Sequence, residues 1–404
     1  MNGLEKLTDA DWVAELDSLA NLLVESHPCP FRAVSENAFS RRLDAARNDM
    51  VAAPVPQRLV TLASVVASLR DGHTRMSFDW RPDSSAPNHA VPNLPIELEL
   101  LEDGLLVTAA AVDSPDLVGG RVERIDDTPV ELAVGRCAQI VSGENQWRTR
   151  ALAPKLLGQP LALQGLGVAG DSTVNVTVRK GDQRVTRPVA GDPGQPMSRL
   201  SVQRAPGLAV SETNAECLHL ASGITMLKYD MVRDLPGRPL RAVFDEALVH
   251  VSRGDVLITD LRHNSGGDNR LTWPLVHGLA AMPSESILGR HFVLIGPRTF
   301  SAAMNAVVAL ERHTPVQFIG LPTGAAPNHF GDAQTHFLER TNVAVDISTL
   351  WWQESYPYDQ RTAVEPHHQM DTTIDNYLAQ RDPCVEAVLD IVGYDQGTSD
   401  GLTT

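Results

Sequence analysis

The chain has 404 residues, a formal charge of -16 and 43% hydrophobic residues. That length exceeds what one core usually organises, so two or three domains are expected, with ample apolar content to fill them. The acidic balance argues against nucleic acid and against an anionic membrane surface as partners, because the field of the whole protein repels both.

The N-terminal stretch MNGLEKLTDADWVAELDSL carries acid early and lacks both a basic leader region and an uninterrupted apolar segment, and no later apolar run reaches the 18 residues of a membrane span. A soluble, cytoplasmic protein without membrane contact is expected. Residues 8 to 25 open with a capping pair, Thr8 and Asp11, and place Trp12, Leu16, Leu19, Leu22 and Leu23 on one face, which predicts an amphipathic helix. The helical period returns at 35 to 47 and 57 to 70. Residues 1 to 80 therefore read as a helical domain.

After the polar segment at 82 to 93 the pattern changes to short strands. LPIELELLEDGLLVTAAA predicts a hairpin through Glu102, Asp103 and Gly104, and VGGRVERIDDTPVELAVGRCAQIV reads as a glycine turn, a strand, an Asp-Asp turn and a helix. A second strand pair, 172 to 189, turns at Lys180, Gly181 and Asp182. A β-rich region over 90 to 190 follows, with a boundary in the polar, proline-spotted stretch at 184 to 207.

From 205 to 395 strand and helix alternate. GITMLKYD, DVLITDL, HFVLIG and VQFIGLP are strands with apolar residues at consecutive positions, and LRAVFDEALVHV, LTWPLVHGLAAM and AAMNAVVALERH are the helices between them. Continuous apolar strands imply a sheet covered on both faces, hence α/β architecture. Functional groups in such sheets gather at the carboxyl ends of the strands, where Asp260 to Gly267 and Pro297 to Ser301 fall.

Those two segments carry the chemistry. Ser301 precedes Ala302 at the mouth of an apolar helix, where orphan amides and the partial positive charge of the helix end would stabilise an oxyanion; an ordinary capping serine has the same address. Gly266 and Gly267 at a strand exit let the backbone approach a carbonyl and aim an amide at it, although a simple tight turn uses the same residues. A serine nucleophile needs a base. The four lysines, Lys6, Lys155, Lys180 and Lys228, all precede Ser301, so a lysine cannot come from the segment after it. Among thirteen histidines, His73 in SLRDGHTRMSF stands at a helix-to-strand junction and suits a general base, with His329 in GLPTGAAPNHFGD as competitor. Glu354 and Asp359, in the aromatic-rich WWQESYPYDQR, are candidates for the acid that orients the imidazole. No HExxH or comparable ligand spacing occurs, so neither a catalytic metal nor a cofactor is expected. Cys29, Cys137, Cys217 and Cys384 lie far apart and read as buried small hydrophobes rather than disulfide partners.

DVLITDLRHNSGGDN, RTFSAAMN and GLPTGAAPNHFGD resemble, in that order, the core motifs of the S41 peptidases, the family of tail-specific C-terminal processing proteases and the tricorn core protease. DGHT at 71 to 74 is similar to a motif of the branch whose base is an upstream histidine, and GGRVERIDDTPV resembles the PDZ-type module that many members insert before the core. The resemblance spans roughly residues 10 to 375 and implies a ClpP/crotonase-like α/β core with a serine peptidase activity on peptide or unfolded protein. It matches Ser301 to the nucleophile, the amides of Ala302 and Gly266, with Gly267 beside it, to the oxyanion hole, and His73 to the base. Ala325 and Ala326 stand where the processing proteases carry the lysine of a Ser-Lys dyad, so this chain falls in the branch lacking that dyad. Glu354 is preferred as the orienting acid, with Asp359 kept open. A hydrolase of small esters or amides, and a non-catalytic ligand-binding descendant of the fold, are the alternatives, and a homo-oligomer is compatible with either.

Overall fold

A computed structural model describes residues 3–78, 93–191, 196–200 and 214–394. The polar segment at 82 to 92 and the part of the expected boundary from 201 to 207 lie outside the described residues. The chain divides into two compact units. The first comprises Met1–Ser201 with His329–Trp352, and the second Val202–Asn328 with Gln353–Thr404.

In the first unit three helices form where the period predicts them, Asp9–Ser26, Glu36–Met50 and Val55–Ala67. The first begins with a full capping box: the Thr8 hydroxyl accepts from the Asp11 amide and the Asp11 carboxylate accepts from the Thr8 amide. Each reciprocal bond satisfies an orphan donor of the helix end. The β-rich part pairs strands in the order 96–101, 104–111, 121–125, 173–180 and 183–190, with Met197–Arg199 joined to Gly104–Ala111. The hairpins turn at the expected places, Glu102–Asp103 before Gly104 and Gly181 (φ 57°) with Asp182. Helices Gln146–Leu156 and Pro160–Gly165, absent from the sequence reading, fill the interval between strands.

Helices and strands that the sequence assigns to separate domains share one core here. Trp12, Leu16 and Leu62 from the helices, Leu105, Val122 and Val176 from the strands, and Val345 and Ile347 from the returning segment belong to a single buried cluster. Residues 329–352 enter this unit as short strands: Ala344–Ile347 lies between Arg75–Met76 and Gln334–Phe337, in antiparallel register with Asp346 opposite Arg75.

The second unit is built on a six-stranded sheet in the order His368–Gln369, Gln317–Gly320, His291–Ile295, Val256–Asp260, Ile224–Tyr229, Ala215–Ala221. All neighbours are parallel except the last pair. Alternate strand residues feed two cores. Leu227, Val293 and Phe318 pack with the helices Leu240–Ser252, Trp273–Ala280 and Ala302–His313, while Met226, Phe292 and Ile319 pack with Pro383–Ile391. Coverage on both faces is what the unbroken apolar strands require. Because Asp260 pairs with Leu294, the loops that leave these two strands start side by side.

All four cysteines are unbridged. Cys137 and Cys384 are buried as expected, but Cys29 is exposed and Cys217 half-buried, so the reading of all four as core residues holds for two.

Candidate active site

The predicted residues divide between the two units. Gly266, Gly267, Ser301, Ala302, Glu354 and Asp359 belong to the second, and His73 and His329 to the first.

In the second unit the turn after Val256–Asp260 is fixed by buried charge and by one side-chain amide. Asp260 receives both the backbone and the guanidinium of Arg262, which also reaches Asp382 at 2.7 Å. Burial alone would raise the Asp260 carboxyl, but the Arg262 charge outweighs it and holds it down to about 2. Asn264 is fully buried and ties three strands of chain together: its Nδ2 donates to the Tyr229 carbonyl, its Oδ1 accepts from the Gly266 amide at 2.9 Å, and its carbonyl accepts from the Phe300 amide. This last bond joins the glycine turn to the serine loop. Thr299 adds a second tie, its hydroxyl donating to the Leu261 carbonyl.

Ser301 sits immediately before the helix Ala302–His313 with φ 57° and ψ -128°, a region L-residues rarely adopt, and its side chain makes no capping hydrogen bond. The capping role that its position allows is therefore not the one it performs. Holding a non-glycine residue there costs about 1–3 kcal/mol, and the buried helix behind it, Ala302 to Leu310, together with the Phe300–Asn264 bond, sustains that conformation. Gly266 (φ 101°) lies against this elbow so closely that an added Cβ would stand 2.5 Å from the Ser301 Cβ and 2.9 Å from the Ala302 nitrogen. Gly267 (φ 144°) is packed the other way, where an added Cβ would meet the Val232 carbonyl oxygen at 2.2 Å.

The Gly266 amide, expected as an oxyanion donor, is committed to Asn264 Oδ1. Its neighbour Gly267 takes no part in that bond, and the flanking bonds to Val232 use the Gly266 carbonyl and the Asp268 amide.

The two candidate acids differ sharply in how they are employed. Asp359 accepts from the Ser355 hydroxyl at 2.6 Å and from Nε and Nη2 of the Arg361 guanidinium, which holds its carboxyl down to about 2; Arg361 in turn bridges to Glu311. Among the described residues, no side-chain cation is in hydrogen-bond contact with the Glu354 carboxylate. Its Oε1 accepts from Asn269 Nδ2 at 3.3 Å, two residues beyond Gly267, and partial burial raises its carboxyl above the usual range. Arg312 donates to its carbonyl rather than to its carboxylate.

In the first unit His73 stands in a turn built around the buried Asp71. Asp71 accepts from the His73 amide at 3.0 Å, from His27 Nε2 at 3.2 Å and from the Ser348 hydroxyl at 2.6 Å. Burial would raise its carboxyl, but these donors prevail and keep it ionised. The Gly72 amide is held from the other side by Glu144 at 3.1 Å. The His73 ring stacks on His329 with centroids 5.5 Å apart and planes 8° from parallel. Burial first and the neighbouring His329 second lower the His73 pKa, so the imidazole is neutral at physiological pH. The two histidines that compete as base in the sequence are thus neighbours, with His329 fully enclosed and His73 the more accessible.

Sequence reasoning missed Asp71 as an anchor, together with Glu144, Asn264, Asn269 and Ser348. Asp71 and Asn264 were visible as members of DGHT and HNSGG. Glu144 and Ser348 had no local signal, because their partners lie far away in the chain.

A structure of mature CPAF complexed with lactacystin superposes with a TM-score of 0.66 at 15% identity, covering 96% of this chain and 99% of that one. The chain has a CPAF-like fold. Mature CPAF and a serine-to-alanine mutant of CPAF agree, with TM-scores of 0.65 and 0.64, identities of 14% and 12%, and coverage of 97% and 98% of this chain and 99% of each of theirs. No family model matches the sequence, and no curated protein does. The CPAF-like fold spans both units and includes the N-terminal helices and the mixed β region as well as the parallel sheet.

Proposed function

We propose that this protein is a serine-type peptidase of the S41 kind, acting on peptide or unfolded protein. The observation that carries the proposal is Ser301: a strained elbow at a helix N-terminus, a hydroxyl released from capping, and a glycine packed against the adjacent amide. Structural serines do not need this arrangement, whereas a nucleophile does, since it must stand clear of its own helix while facing that helix's amides. The motif resemblance supplies peptide as the substrate class, and CPAF, which shares the fold, is described both in complex with lactacystin and as a serine-to-alanine mutant.

In the proposed reaction His73, neutral because it is buried, takes the proton of Ser301 Oγ as the oxygen attacks the scissile carbonyl. The Ala302 amide at the helix end and the Gly267 amide receive the oxyanion. Gly267 replaces Gly266 in this role because the Gly266 amide is already used by Asn264. Collapse of the tetrahedral species expels the amine, which takes the proton from His73, and water then hydrolyses the acyl-serine with His73 again as base. Glu354 is the proposed orienting acid, because its carboxylate is not claimed by an arginine.

A fluorophosphonate probe should label the wild-type chain at Ser301, and Ser301→Ala should abolish both labelling and peptide cleavage while leaving the melting temperature within a few degrees. Cleavage by the Ser301→Ala protein would refute the proposal. Turnover of p-nitrophenyl esters without any peptide cleavage would instead identify a small-ester hydrolase, and absence of labelling a binding protein.

A further inference from the structure

At the amino end of the second unit's sheet, away from the Ser301 loop, two imidazoles and a carboxylate converge. His219 lies on the edge strand Ala215–Ala221, His250 in the last turn of the helix Leu240–Ser252, and Asp255 just before the strand Val256–Asp260. One ligand-capable atom from each lies within 4.8 Å of the other two. The geometry points to a site for a divalent transition metal, with zinc as the favoured ion.

Hydrogen bonds hold the backbone between His250 and Asp255. The helix ends in a tight turn in which the Arg253 and Asp255 amides both donate to the His250 carbonyl, and Gly254 (φ 98°) takes a conformation that makes this turn possible. The Gly254 carbonyl is held by Arg290 at 2.6 Å. Thr225, fully buried, donates its hydroxyl to Asp255 Oδ2 at 3.2 Å and is the cross-strand partner of His219, so it sits on the face that His219 shares. A hydrogen bond that orients a ligating carboxylate is the outer support metal sites use.

The spacing suits a small tetrahedral ion. Zinc bonds of about 2.0–2.1 Å at the tetrahedral angle separate adjacent ligand atoms by roughly 3.3 Å. His250 Nδ1 and Asp255 Oδ2 stand 3.1 Å apart, so these two need almost no rearrangement, and His219 closes the third position by a rotation of its exposed side chain. Two imidazole nitrogens exclude magnesium and calcium as preferred occupants, since those ions demand oxygen ligands. With all three side chains reaching solvent, the fourth position is left to water.

Such an ion is a clamp rather than a catalyst. It would join the edge strand, a helix end and the entry of the strand whose far end carries the glycine turn, roughly 16 Å away along five residues of strand. It stands independently of the role assigned to Ser301.

The test uses the full chain, untagged and stripped of metal, titrated calorimetrically with zinc chloride and, in parallel, magnesium chloride. One zinc per chain should bind, with no magnesium heat, and zinc should raise the melting temperature by several degrees. His219→Ala should weaken that binding at least tenfold and abolish the thermal shift, and Thr225→Val, which deletes only the bond to Asp255, should weaken it about tenfold. His250→Ala serves as a third variant, and His219→Ala alone decides if that one does not fold. Absence of stoichiometric zinc binding, or binding unchanged in His219→Ala, would overturn the site.

Discussion

Side chains that the sequence cannot tell apart are distinguished by what surrounds them. Glu354 and Asp359 lie five residues apart in one polar segment, yet Asp359 is locked by Arg361 and Ser355 while Glu354 accepts from the neutral amide of Asn269. Asp359→Asn should therefore cost about 1 kcal/mol of stability, because Arg361 is partly exposed and screened, and leave kcat nearly unchanged. Glu354→Gln should lower kcat on the order of 100-fold or more with little effect on stability. Steady-state kinetics and urea midpoints on the two variants check the pair, and the reverse pattern would exchange their roles. Glu144 makes a separate, pH-dependent statement. Burial, with Asp71 nearby, raises its carboxyl to about 7, above the unfolded value. The native state then binds a proton that the unfolded chain has lost, so its stabilising contribution is full below about pH 4.5 and disappears as pH rises through 7. At about 1.4 kcal/mol per pKa unit, ionising this group costs the fold on the order of 3 kcal/mol at pH 8. Glu144→Gln should match the wild type at pH 5 and exceed it at pH 8, as read from denaturant midpoints; equal midpoints at both values would contradict the assignment.

At the scale of elements, long periodic segments were legible because each carries its own burial pattern and its own punctuation. The helix Asp9–Ser26 announces itself through Thr8 and Asp11, and the strand Val256–Asp260 through its consecutive apolar residues Val256, Leu257 and Ile258. The strands between 328 and 353 are four residues each, too short to carry a pattern of their own, and Ala344–Ile347 takes one of its two partners, Arg75–Met76, from far away in the chain. The site shows the same division. Ser301 and the glycines were legible as residue types at strand exits, but which glycine amide remains available was not, because that depends on the Asn264 side chain. The tight seat of Gly266 gives the elbow a sharp test. Gly266→Ala must push a methyl group into the Ser301 Cβ and the Ala302 nitrogen from a backbone already at φ 101°. A loss of about 1–3 kcal/mol and a near-complete loss of Ser301 labelling are expected. Full labelling would show that the two loops are not rigidly joined. Gly223 (φ 74°), where an added Cβ meets nothing within 4 Å, is the control: Gly223→Ala should cost backbone strain alone and keep the label.

For the molecule as a whole, length points to more than one core, and the two compact units of the chain are not consecutive stretches of sequence. The contrast lies in residues 329–352, which leave the second unit's sequence to complete the first unit's core. Val345 and Ile347 are fully buried there, and Leu338 and Val343 nearly so. Each such side chain contributes roughly 1.5–3 kcal/mol, a sum comparable to the entire stability of a domain. Polar groups add to the dependence. Glu15, at 0% exposure, directs its carboxylate to the amides of Arg340 and Thr341 and to the Thr341 hydroxyl, all three bonds coming from the returning segment. Without it, a carboxylate is left buried and unpartnered beside an open core, which costs several kcal/mol more. A chain ending at 201 should therefore lack a cooperative thermal transition despite containing every helix and most strands of its unit. The same chain with 329–352 appended through a flexible glycine-serine linker should recover one, because the segment restores both the apolar filling and the donors to Glu15. Glu15→Gln in the appended chain should lower its midpoint while keeping the transition cooperative, since an amide oxygen still accepts from Thr341. A cooperative melt of the 1–201 chain alone would mean that the returning segment decorates this core rather than completing it.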